Sequence, residues 1–251
     1  MRIKFVKTRC FLLTICSLAL TGASHAQDTA IAWSPDLKLS SLADIPQKMA
    51  EPLNPGQPGL NLSNANGKIL RMVTTCNEFL EAVAEDYSPA NNLEVKRESW
   101  YVQACYALRD LQTARTPMES NLLPDGWSTD ALDKLPPLDV FGEQSVVDAA
   151  QKAEESGKSW QEYEPSLRVT KIEGDHLEAE DDHGGLYSVD IIARADFTGD
   201  GHSGLAIVSC ERAVNGTLAD YNYYILTSAK NGKGPMRRIT ARNPPYALTA
   251  K

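Results

Sequence analysis

The sequence predicts an α+β protein with its helices first and its sheet second. Two stretches of helical period, one long stretch of strand period and one pair of cysteines carry that expectation. Over residues 63–111, and again over 143–158, apolar residues recur at steps of three and four, the spacing of one helix face. From Leu167 onward the step falls to two and turn residues punctuate the chain, as in an antiparallel meander of five or six strands. Cys76 and Cys105 lie nearly the same distance on either side of the turn in the first helical stretch. In an antiparallel helical hairpin such residues face one another, so these two are predicted to form a disulfide.

In chain order, residues 1–26 read as a secretory signal. Arg2, Lys4, Lys7 and Arg9 form a basic start, residues 11–20 an apolar core, and Ala23-Ser-His-Ala26 a small-residue cleavage site before Gln27. Cys16 follows Ile15, a poor context for lipid attachment, so cleavage to an unanchored periplasmic or secreted product is expected. No later stretch approaches the roughly 20 apolar residues of a membrane span. Residues 27–61, rich in Pro, Gly, Ser and Asn, read as an irregular arm.

Residues 62–115 read as the helical hairpin. Ile69, Val73, Cys76, Leu80 and Val83 mark the first helix, which Tyr87-Ser-Pro-Ala90 ends. Asn91 with Glu94 resembles a capping box. The second face runs through Val95, Trp100 or Tyr101, Ala104 or Cys105, Leu108 and Leu111. Residues 116–142, with four prolines around Trp127, read as a loop-rich linker or surface loop. Residues 143–251 read as one more helix followed by the meander, with turns at Gly174-Asp175, 182–185, 196–204, Asn215-Gly216 and 231–234. Residues 62–251 are expected to form one domain.

Export fixes the charge and redox arguments. Removing the signal takes four of the 25 basic residues and none of the 33 acids, leaving the mature chain at −12. That disfavours nucleic acid and anionic membrane as partners and favours a protein with a basic binding surface. Of the five cysteines, Cys10 and Cys16 leave with the signal, so Cys210 remains outside the predicted disulfide.

The stretch with most chemistry is the turn that begins at Asp196. Asp196, Thr198 and Asp200 stand at alternate positions, Gly201 follows, and the His202 carbonyl is a fourth candidate oxygen. This turn resembles the Asp-rich hairpin turns of FG-GAP and VCBS-type repeats, over residues 193–208 only. The resemblance implies a bound calcium ion held by Asp196, Thr198, Asp200 and His202. Two departures stand against it: Gly204 where those turns carry a carboxylate, and Ile207 where an EF-hand carries its bidentate Glu. The other reading is a tight hairpin whose aspartates cap their own backbone.

No Gly-x-Ser-x-Gly elbow, phosphate-binding loop or Cys-x-x-Cys motif is present. His176 and His183 with nearby acids lack zinc-site spacing. Trp127, on its proline-flanked loop, is the aromatic expected on a recognition surface, and Trp100 is expected in the core. The function expected is therefore an exported, non-catalytic protein-binding domain. Within that class the expectation is an inhibitor or immunity-type protein that neutralises a secreted toxin or hydrolase in the periplasm. The alternatives are an exported hydrolase with a dispersed site and a calcium-stapled envelope domain. A hydrolase should present a concave pocket of convergent polar groups with shifted pKa values, an inhibitor a flat or protruding acidic surface.

Overall fold

A computed structural model describes residues 30–241 apart from 57, 65, 68–69, 120, 139–143, 214–218 and 230–232. The expected signal with its cleavage site, and the Asn215-Gly216 turn, lie outside the described residues.

Six antiparallel strands run as a meander, as expected: β5 (Arg168–Glu173), β6 (His176–Glu180), β7 (Gly185–Ala195), β8 (Gly204–Ala213), β9 (Ala219–Thr227) and β10 (Arg237–Ala241). Each pairs with the next in sequence. A seventh strand, β1 (Ala32–Trp33), comes from the N-terminal side and pairs with the end of β7 beyond the reach of β6.

The central strands bury both faces. Along β8, Leu205 and Ile207 enter one core while Ala206 and Val208 enter the other, and along β9 Tyr224 and Leu226 oppose Tyr223 and Ile225 in the same way. A bulge in β7 places Ile192 and Ala193 consecutively on one side, so the strand re-phases before Arg194.

The first core is closed by the N-terminal half. α2 (Cys76–Ala84) and α3 (Asn92–Leu111) are the expected hairpin, and Cys76 and Cys105 are bonded with Cα atoms 5.0 Å apart. At 20 residues, α3 is about 30 Å long, enough to cross β9 and reach β7 and β8. Tyr106 stacks on Tyr223 with ring centroids 5.6 Å apart. Asn91 caps α3 as expected, accepting from the N–H groups of Leu93 and Glu94. The Glu94 carboxylate does not reciprocate, because it is used elsewhere: Asn61 donates to it through both its main-chain and side-chain nitrogens.

Two expectations in this half are corrected. The first helix begins at Cys76, with Thr75 and Glu78 as its reciprocal cap. Leu70 and Val73 belong instead to a strand, β3 (Leu70–Val73), in which alternation of exposed Leu70 and Met72 with inward Arg71 and Val73 replaces the helical step. β3 pairs with β2 (Leu60–Ser63), which pairs in turn with β4 (Ser88–Pro89), a small sheet of order β3-β2-β4. The arm is also more ordered than its composition suggests. It holds β1, two short 3-10 turns, α1 (Ile45–Ala50) and β2. Ser34 caps the first turn beside Pro35, and the Asp44 carboxylate accepts the Ser41 N–H at 2.8 Å at the second.

The second core lies on the other face of the sheet. Trp127, Leu132, Leu135 and Trp160 cover Leu177, Val189, Ile191 and Ile207 there. They come from α4 (Ala131–Lys134), from α6 (Trp160–Tyr163), and from the stretch expected as a linker. α5 (Gln144–Glu155) is the third expected helix. Among the described residues no helix is long and apolar enough to cross a membrane.

Residues 115–119 and 121–127 form a strap rather than a linker. Arg115 and Asp196 exchange two main-chain hydrogen bonds at 2.8 and 2.9 Å, Met118 donates to Gly201, and the Leu122 N–H to the Ser203 hydroxyl. Trp127 is 5% exposed. Its indole N–H donates to the carbonyls of Asp175 and Val189, which takes it out of any recognition surface. Its neighbour Gly126, at φ 86°, is pressed so close to Gly174 that a Cβ would stand 2.2 Å from the Gly174 oxygen. Prolines around a tryptophan mark an irregular path, and here that path carries its tryptophan into the core.

Candidate functional site

The Asp196 turn is built around one carboxylate. Oδ1 accepts the N–H groups of Thr198 and Gly199, at 3.1 and 2.7 Å, and the Thr198 hydroxyl at 3.2 Å. Oδ2 accepts the Gly201 N–H at 2.8 Å, and an Asp200 oxygen accepts the His202 N–H. Gly199 and Gly201 both have positive φ, so the sharp bend is theirs. Burial pushes the Asp196 carboxyl up, but the backbone donors from Gly201, Gly199 and Thr198 outweigh it and hold it low. The Arg115 guanidinium lies against Gly199, and the His202 ring pairs with Glu119 at 3.0 Å. The carboxylates of Asp196 and Asp200 thus accept from the loop's own N–H groups, and the Thr198 hydroxyl donates to Asp196. That set of oxygens falls short of the six to eight calcium takes. The hairpin-turn reading accounts for the loop's geometry without an ion.

A concave feature lies elsewhere, on the α3 side of the sheet where the helix no longer covers it. It encloses about 260 Å³. Register explains the hollow. Glu178, Ser188, Cys210 and Tyr221 stand side by side across β6 to β9, so two small side chains form a floor between two long ones. His176 and Asp190 close one end, Arg212 and Leu186 the other, and Gln103 of α3 leans over it.

His176 is the centre of its chemistry. Nδ1 meets the Asp190 carboxylate at 2.7 Å and Nε2 meets Glu178 at 3.0 Å. Burial works to lower the imidazole pKa, and the two carboxylates overcome it and hold it up. Glu178 is lowered first by that same hydrogen bond. When the imidazole is protonated both ring nitrogens donate to these carboxylates, and neither then has a lone pair to take a proton from Ser188 or Cys210. Tyr221 is pushed up to about 12 by burial and by the Cys210 thiol beside it. The groove holds two carboxylates and two cationic side chains, an ionic clamp of balanced charge. His183, the other histidine considered with it, is exposed, and its main chain belongs to the turn capped by Asp181. No group of three metal-ligating side chains is found among the described residues.

The apolar surface is more distinctive. Among the described residues six large apolar side chains are exposed, and four belong to β3 and α3: Leu70 at 68%, Met72 at 62%, Leu93 at 58% and Trp100 at 47%. Leu70 and Met72 share the outer face of β3. Met72 stands opposite Asn61, whose side chain bonds Glu94 in the first turn of α3. Trp100 lies two turns further along, beside Ser99 and one turn before the groove residue Gln103. Cys105 fixes the phase of α3: four residues back from it, Tyr101 points inward and donates to the Val73 carbonyl, which leaves Trp100 outside. The burial of Trp100 and Trp127 is the reverse of that expected from the sequence, and the disulfide carried the signal that resolves Trp100.

No protein-family model, curated protein or solved structure matches this chain.

Proposed function

We propose that the protein is an exported, non-catalytic protein-binding domain that engages its partner through the Leu70–Met72–Leu93–Trp100 surface. The observation that carries this reading is that four of the six exposed large apolar side chains among the described residues belong to β3 and α3, one of them the tryptophan Trp100. Within that class an inhibitor or immunity-type protein fits best. The acidic mature chain would steer onto a basic cleft of a secreted toxin or hydrolase and gain association rate by doing so. The Cys76–Cys105 disulfide suits an oxidising compartment such as the periplasm.

The test is capture of partners from the exported fraction by the wild-type protein and by Trp100→Ala. A partner retained by the first and lost by the second, with unchanged melting, supports the reading. Equal retention by both removes the surface from it.

A second reading has one observation in its favour. The groove gathers His176, Asp190, Ser188 and Cys210 on one face, as an exported hydrolase would. Hydrolysis of ester, peptide or glycoside substrates that His176→Asn abolishes would establish it. The two carboxylates on His176 argue for the binding reading.

A further inference from the structure

We infer that β3 is a docking edge, and that its occupant is an extended segment of the partner in which basic and apolar residues alternate. The inference rests on the protein-binding reading and adds the partner's local chemistry. In the order β3-β2-β4, β3 is the outer strand: Leu53 donates to the Thr74 carbonyl just beyond its end, and along β3 itself Leu70 and Met72 turn their main-chain groups away from β2 with no described strand beside them. Such an edge carries main-chain donors and acceptors that a further strand can pair with.

The two faces of β3 dictate the pattern of that strand. Leu70 and Met72 stand on the outer face, 68% and 62% exposed, and offer apolar neighbours to alternate residues of an added strand. Arg71 points to the other face, where it bonds Glu81 and Glu85 of α2. Those carboxylates remain 64% and 55% exposed, and Glu78 and Asp86 are exposed on the same helix or just beyond it. Arg71 bonds two of these four acids, and Thr74 and Thr75 donate to a third, Glu78. Inward residues of the added strand, lying beside Arg71, would meet that acidic helix, so lysine or arginine complements it. Outward residues would be apolar. A helical or acidic segment meets neither condition.

Synthetic peptides test this on the intact protein. An eight-residue peptide alternating Lys and Val should bind, protect the outward amides of Leu70 and Met72 from hydrogen exchange, and weaken as salt is raised. Four changes should each weaken binding about tenfold or more. They are methylation of every peptide nitrogen, regrouping of the same residues into a lysine block followed by a valine block, replacement of Lys by Glu, and Met72→Lys in the protein. Absence of binding, equal binding of the block or N-methylated peptide, or binding without protection of β3 would overturn the inference. So would amides of β3 already protected in a self-associated dimer. Loss of partner capture by Trp100→Ala is a separate readout. If capture is lost but the peptide fails, strand pairing falls and the protein-binding reading stands.

Discussion

Arg194 grips Asp175 with both terminal guanidinium nitrogens, one of them at 2.9 Å, while its Nε donates to the Leu123 carbonyl. The arginine is 6% exposed, so one side chain ties β7, the β5–β6 turn and the strap together from inside the fold. Arg194→Ala should cost about 2–4 kcal/mol, because it strands the Leu123 carbonyl and opens a cavity. Arg194→Lys should recover little of this, since lysine cannot span both carboxylate oxygens and the carbonyl. Denaturant unfolding of the two variants measures both effects. A loss below about 0.5 kcal/mol would mean the strap is held by its other contacts.

The helix pair makes a second prediction. Cys76 and Cys105 close a loop spanning 29 positions, a constraint on the unfolded chain of about 3–4 kcal/mol. Reduction, or the double change to serine, should lower stability by that order. Alkylation of unreduced, unfolded protein should modify Cys210 and spare this pair.

Much of this was legible in the sequence, and the reason is the same in each case. The strands β5 to β9 and α3 announce themselves because period and turn residues agree locally. The disulfide was legible because symmetry about a turn is itself a geometric statement. The misses occurred where a local pattern had two readings that only packing decides. Ile69, Val73, Cys76 and Leu80 fit a helical step, yet Leu70–Val73 is a strand because β2 pairs with it. Trp127 lies in a proline-rich run, yet Gly126 lets that run sink against Gly174. Trp100 and Tyr101 were equivalent until Cys105 set the helix phase. The groove was not legible at all, since its rows unite residues from four strands through register.

The Asp196 turn should behave as a capped hairpin. Millimolar calcium and EDTA are expected to leave the melting temperature unchanged, because Asp196 already serves four donors of its own loop. Asp196→Ala should cost about 2–4 kcal/mol by stranding those donors, and Asp200→Ala much less. A calcium-dependent rise in melting temperature that Asp200→Ala removes would restore the ion.

The His176 clamp predicts a pH dependence of stability. Its folded pKa is raised, so its contribution is complete below the unfolded value of about 6.5 and is lost as pH rises through the higher folded value. Glu178 is lowered, so its contribution is present above its ordinary value and fades as pH falls through the depressed one. The clamp should therefore stabilise most in mildly acidic solution. Melting curves across pH should show the alkaline decline flattened in His176→Asn.

The central claim is that the surface around Trp100 binds another protein and thereby blocks it. The most direct measurement is titration of the captured partner's own activity with this protein. Activity should fall to near zero at equimolar protein, and Trp100→Ala should shift that titration at least about tenfold toward higher concentration. A partner whose activity is untouched at saturating protein, or is blocked equally well by Trp100→Ala, would contradict the account.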